Sequence, residues 1–91
     1  MNILFSEETK SALLEILEKS ENNNIRVKVA RIGCGKPAYD IYADYASNED
    51  IQLVINDISF VIAKKDEKFC NGIEIKYDKE IYNNGFYIRS L

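Results

Sequence analysis

Between residues 25 and 45 the chain reads "IRVKVARIGCGKPAYDIYADY", and no other stretch constrains the fold as much. Apolar and polar side chains alternate along both of its halves. Ile25, Val27 and Val29 share one face, with Arg26, Lys28 and Ala30 on the other. Tyr39, Ile41, Ala43 and Tyr45 repeat the pattern against Asp40, Tyr42 and Asp44. A period of two is that of a strand with one buried face. The segment therefore predicts two strands, "IRVKVAR" and "AYDIYADY", joined by a Gly-Cys-Gly turn.

The flanking sequence adds one helix and four more strands. "SEETKSALLEILEKSENNN" carries helix signals in order, with Ser6 as N-cap and Glu7 and Glu8 at the positive end of the dipole. Leu13, Leu14, Ile16 and Leu17 form its apolar stripe, leaving Lys10, Glu15, Glu18 and Lys19 to solvent. Asn22, Asn23 and Asn24 end it. "IQLVI" and "ISFVIA" flank Asn56-Asp57, a pair suited to the positive φ angles of a two-residue hairpin. "KKDEKF" predicts one or two helical turns, broken by "NG" at 71–72. "IEIKY" and "FYIRS" are strands on either side of a turn at "NNG", residues 83–85. One helix and about six strands in 91 residues make a single domain, residues 1–91, of α+β, mainly β, class.

Composition narrows the function. The chain has no histidine, which removes Ser-His-Asp and Cys-His nucleophile pairs and the histidine-containing zinc motifs together. No base-plus-nucleophile pair is visible, so an enzyme is not expected. A net charge of −3 argues against nucleic acid as the main partner, although Arg26, Lys28 and Arg31 lie close together. There is no apolar run long enough for a membrane span and no signal-peptide pattern. The expectation is a cytoplasmic protein that engages no membrane. Asp40 and Asp44 with Tyr42 read as a solvated strand face. The acids from Asp44 to Asp50 lack the glycine and terminal glutamate of a calcium loop.

Cys34 and Cys70 are the only thiols, thirty-six positions apart, a spacing unlike a zinc ribbon or a CxxC pair. Cys70, after Phe69 at the end of a helical segment, reads as buried packing. Cys34 is different. Glycines on both sides free the backbone and let amides point at an anion or at metal-bound sulfide. Arg31 and Lys36 are near in sequence, and nearby cations favour a thiolate. Pro37 sets φ at the exit of the turn. These features suit a reactive or metal-binding cysteine, and Cys34 is the candidate ligand. The plainer alternative is a cysteine that only fills a glycine turn.

Taken together, the leading helix, the "RIGCGKPAY" turn, the "DIQLVINDISFVIAKKDEKF" hairpin and the closing "NGIEIKYDKEIYNNGFYIRS" resemble the HesB-like domain of A-type iron–sulfur cluster assembly and carrier proteins. Cys34 stands where that family has a cluster or iron ligand. Gly72, Ile75, Tyr77, Gly85 and Phe86 match its later "G-x-x-I-x-Y…GF" pattern. The resemblance implies an N-terminal helix beside two small mixed sheets packed as a sandwich. As cofactor it implies an iron–sulfur cluster or iron. As partners it implies the iron–sulfur assembly machinery, apo-protein clients or a second subunit in a homodimer. The sequence departs from the family in two places. Gly35-Lys36-Pro37 replaces the common Ser-Gly-Phe, and the sequence ends at Leu91 without the C-terminal Cys-x-Cys. In a branch that ends in a cysteine–selenocysteine pair, a misread stop codon would shorten the deduced chain. Three roles follow. The first is an iron–sulfur or iron carrier using Cys34, with further ligands from a second subunit, glutathione or a client. The second is a degenerate HesB-like binding or regulatory module that holds no cluster. The third is a thiol redox protein acting through Cys34 alone.

Overall fold

The computed structural model describes residues 1–82 and 85–91. Among these residues the elements run β1 (Ile3–Phe5), α1 (Glu7–Glu18), β2 (Asn24–Gly33), β3 (Lys36–Asp44), β4 (Asp50–Ile55) and β5 (Ile58–Ala63). A 3₁₀ turn (Lys64–Asp66) then leads into α2 (Glu67–Cys70), followed by β6 (Ile73–Tyr77) and β7 (Phe86–Ser90). The strands form a three-stranded sheet of order β1-β6-β7 and a four-stranded sheet of order β3-β2-β5-β4. Each is mixed, because β1 lies parallel to β6 and β2 parallel to β5 while the other pairs are antiparallel. This is the mainly β, α+β architecture expected from the sequence. The turn expected at "NNG" falls on residues 83 and 84, outside the described residues, and on Gly85.

Strand β1 is an addition to the expected set. Three residues are too few to display a period, and Ile3–Phe5 becomes a strand only because β6 offers it a ladder, Ile3 facing Ile73 and Phe5 facing Ile75. Helix α1 begins as predicted, with the Ser6 hydroxyl accepting from the Thr9 amide at 3.2 Å. Its apolar stripe is narrower than the sequence suggests. Thr9, Ala12 and Leu13 are buried, Ile16 and Leu17 pack partly against the core, and Leu14 is exposed. Lys10 is not free in solvent either, since its ammonium lies 3.6 Å from Asp57. Asn56 and Asp57 make the predicted hairpin turn with φ of 51° and 69°.

Both sheets and the helices feed one cluster of buried residues. Leu13 comes from α1, Ile73 and Ile75 from β6, Ile25 and Val27 from β2, and Ile58, Phe60 and Ile62 from β5, all at most 1% exposed. A fully buried side chain of this size contributes about 1.5–3 kcal/mol, so β5, an interior strand that supplies three of them, gives the core more than any other strand. Phe5 joins it through a tilted contact with Phe60 at 5.7 Å between ring centroids.

On the opposite face of the four-stranded sheet Asp44, expected on a solvated strand face, is instead tied together with Asp50 to one cation. Arg26 Nε donates to Asp44 at 2.5 Å, and its two Nη atoms donate to both oxygens of Asp50 at 2.8 and 2.7 Å. The same guanidinium reaches the Tyr45 carbonyl, and Asp50 also accepts from the amide and hydroxyl of Ser47. The clamp joins β2, the end of β3, the connecting loop and the start of β4. It also takes Arg26 out of the basic group formed in sequence with Lys28 and Arg31, while Asp40 stays exposed as expected. Hydrogen bonds from Arg26 hold the Asp50 carboxyl well below its ordinary value of 3.8, and the Arg26 guanidinium is raised in turn.

A depressed carboxylate contributes stability above its unfolded pKa, and that contribution disappears as pH falls through the lower folded value. Asp50→Asn is expected to cost about 2 kcal/mol at pH 7, the usual range for hydrogen bonds to charged groups being about 1.5–3. Urea unfolding from pH 7 down to pH 2 checks this, since the gap between the two proteins should be constant above about pH 5 and begin to narrow below about pH 4, where the unfolded carboxylate takes up its proton.

Candidate functional site

Strand β2 runs out of partner on one side before it ends. Its parallel ladder with β5 covers only Ile25 opposite Phe60 and Arg26 opposite Val61, and β5 itself ends two residues later at Ala63, where the 3₁₀ turn begins. The buried Asp66 carboxylate takes over at this point, accepting from the Val29 amide at 3.2 Å. Beyond Val29 the strand has β3 as its only strand partner among the described residues, with a bulge at Ala30. Residues 30–36 are all exposed, so this half of the hairpin is a two-stranded arm standing clear of the core. The predicted loop is shorter in the structure. Gly33 pairs with Lys36 and Ile32 with Pro37, which leaves Cys34 and Gly35 as the whole turn. Pro37 sits inside β3, an edge strand, where a residue lacking N–H is tolerated.

Cys34 occupies the tip of this arm, exposed and unbonded to any other sulfur. Its φ of 52° and that of Gly35, 78°, are both left-handed, as a two-residue hairpin turn requires. Glycine adopts that region freely. A cysteine there costs roughly 1 kcal/mol, and Asn-Gly would be the pair that turn chemistry prefers. The turn therefore holds its thiol at a conformational cost rather than a gain. A side chain at Gly33 would meet nothing within 4 Å, so that glycine fills no packing role and leaves one flank of the thiol open. Arg31, Lys36 and Ile32, the last 54% exposed, are the other side chains displayed on the arm. The exposed Ile32 is a feature that sequence alternation did not single out.

The base of the arm is anchored by Tyr39. Its hydroxyl donates to the Phe69 carbonyl at 2.5 Å and lies 3.2 Å from Ser90 Oγ, linking β3 to α2 and β7. Burial pushes this phenol up from its ordinary value. Tyr39, Tyr42 and Tyr45 are consequently not a cluster, since Tyr39 is turned inward while Tyr42 and Tyr45 are exposed. A groove of about 590 Å³ begins at Lys36 and Pro37 and runs between β3 and β7 past Tyr87 and Arg89. A second, of about 550 Å³, continues along Ile41 to Ile16 of α1, and the two share Tyr39, Phe86 and Ile88.

Cys70 takes no part. It is completely buried in the core cluster, and desolvation, assisted by the nearby Asp66 charge, pushes its thiol up to about 12. The structure thus separates the two cysteines as the sequence suggested, one in the interior and one at an exposed tip. Among the described residues no three cysteine, aspartate or glutamate side chains converge as a metal site. No helix among them is long and apolar enough to cross a membrane.

The same arrangement of chain is found in solved structures. SufA of Escherichia coli, described as involved in biosynthesis of iron–sulfur clusters, superposes with a TM-score of 0.77 at 15% identity, covering 98% of this chain and 80% of SufA. IscA with the [2Fe-2S] cluster gives 0.71 at 17% identity, over 97% and 82% of the two chains. A protein from Aquifex aeolicus, solved by solution NMR, gives 0.69 at 20% identity, over 98% and 91%. No family model and no curated protein sequence matches the chain. At these identities the likeness is one of fold, and the HesB-like fold implied by the sequence resemblance is the fold of this protein.

Two outcomes follow for the thiols. Iodoacetamide should label Cys34 in the native protein and Cys70 only after denaturation, read as one and then two additions by mass. Cys34→Asn should raise stability by up to about 1 kcal/mol, because Asn suits the first position of this turn. A loss instead would mean that the Cys34 side chain is held by a packing contact.

Proposed function

We propose that this HesB-like chain carries iron or an iron–sulfur cluster to or from a partner, with Cys34 as its own ligand. The observation that carries the proposal is the placement of Cys34, a solvent-exposed thiol at the tip of an arm that the core does not constrain. A cluster generally takes about four protein ligands, and this chain brings one accessible thiol among its described residues. The remaining ligands come from a second subunit, a client protein or a small thiol. A carrier gains from this arrangement, because ligands shared with the recipient can be exchanged without first dismantling a closed cage. The fold shared with SufA and with IscA bearing a [2Fe-2S] cluster supports the assignment. The role is one of binding and transfer rather than catalysis.

Anaerobic reconstitution with iron and sulfide tests it. The wild type is expected to develop the broad visible absorption of sulfide-bridged iron, and Cys34→Ser to lose it. Equally featureless spectra for both proteins would defeat the proposal.

A second role, a binding module that holds no cluster, has one observation in its favour. The other thiol, Cys70, is sealed in the core and unavailable as a ligand. Under that role Cys34→Ala retains partner binding, whereas under the carrier role it does not.

A further inference from the structure

Charge is unevenly distributed along this chain. Acids outnumber bases by 15 to 12, yet residues 22–39 hold no aspartate or glutamate, the longest such run in the sequence. Arg26, Lys28, Arg31 and Lys36 all fall within it. Arg26 is occupied by the clamp with Asp44 and Asp50. The other three are exposed, and none is ion-paired among the described residues.

The bulge at Ala30 decides where these three point. In an uninterrupted strand Lys28 and Arg31, three positions apart, would face opposite sides of the sheet. The extra residue returns them to one side. Lys28 lies across from Asp40, Arg31 from Ala38 and Gly33 from Lys36. Asp40, Ala38 and Lys36 are alternate residues of β3, so they and their partners share a face. Val29, Ile32, Pro37 and Tyr39 fall on the other face, from which Val29 and Tyr39 pack against the core. The arm is thus cationic on its outer face and apolar on the side of the groove between β3 and β7. From Lys28 to Lys36 the outer face runs about 14 Å, four residues of strand at about 3.4 Å each. Asp40, at the root, is its one acid between Lys28 and the tip. Ala38 and Gly33 keep it low between the long side chains, and a Cβ at Gly33 would meet nothing within 4 Å. Guarding a strand edge needs charge of either sign, which does not account for three cations on one face of the pair that carries the exposed thiol.

We infer that this outer face of the arm is a docking strip for an acidic, extended stretch of the client polypeptide beside the client's own ligand. The inference rests on the carrier role for what the partner is. Neighbouring cations on the strip are about 7 Å apart, inside the Debye length of about 10 Å at 0.1 M salt, so their fields add. An extended chain laid along it covers about four residues and turns alternate side chains toward it. Three cations in a chain of net charge −3 fall short of the dominant basic face that nucleic acid requires. Surface charge of this kind speeds encounter and sets orientation more than it holds a complex, which suits a partner that must leave after transfer.

The test uses the full-length chain without iron or sulfide, titrated with a short peptide of alternating glutamate and serine and followed by backbone amide NMR. The peptide lacks cysteine, so no disulfide contributes. The amides of residues 28–38 are expected to shift, and the affinity to fall as salt is raised. Arg31→Glu with Lys36→Glu should weaken binding about tenfold or more. Arg31→Gln with Lys36→Gln should weaken it less, and covers the case in which the reversed pair fails to fold. Lys64→Glu with Lys65→Glu makes the same change in net charge on the 3₁₀ turn and should leave the affinity unchanged. Absence of binding overturns the inference, as does equal binding of a glutamine–serine peptide or equal loss in the Lys64/Lys65 variant. Tighter binding of single-stranded DNA of the same charge overturns it too. So does a shift of the same amides with protein concentration alone, which would put a second copy on the strip. Docking is read without iron and reconstitution without a peptide, so either can fail while the other stands.

Discussion

A strand that outlasts its neighbour organises this structure. β2 is ten residues long, yet β5 pairs with it only at Ile25 and Arg26 before turning away. The first half of β2 is drawn into the core by Ile25 and Val27, both fully buried. The second half is left with β3 alone. Asp66 makes the transition tolerable by accepting the Val29 amide, which would otherwise be an orphaned donor beside the core. The exposed arm and the thiol at its tip both follow from this mismatch in length.

Stability and chemistry are accordingly kept in different parts of the chain. The buried cluster lies between the sheets and under α1, and the Arg26 clamp closes the far face where β3 passes into β4. Both leave the turn at 34–35 without a structural duty. A left-handed cysteine is tolerated there because nothing packs against it and the roughly 1 kcal/mol of backbone cost is small beside the core terms. The Tyr39 hydroxyl marks the boundary, holding the root of the arm to α2 and β7.

The sheet edges show the same economy. Where β3 and β7 meet, charge, proline and a side-chain latch leave narrow grooves rather than an open ladder. At the far side, β4 keeps its apolar run because its alternate residues serve the rim of the core. That rim leaves Ile51, Leu53 and Ile55 half-buried, while Gln52 and Val54 between them stay exposed.

Much of this was legible in the residues themselves. Period-two alternation and turn residues together located six strands, Ser6 located the start of α1, Asn56-Asp57 announced their turn, and the setting of each cysteine separated a buried thiol from an exposed one. These signals are local, since a strand face, a helix cap and a left-handed turn depend on neighbours within a few positions. Other features depend on partners distant in sequence. β1 is a strand because β6 lies beside it, Leu14 is exposed because α1 presents a narrower face than its composition allows, and Asp44 and Asp50 are paired because folding brings Arg26 between them. The sequence by itself determined α1, the strands other than β1 and the chemistry available at Cys34. Only the tertiary structure decided that β5 would end early, leaving that sulfur at the end of an arm and β4 with an open edge, because the extent of a ladder depends on both strands and neither sequence segment encodes it alone.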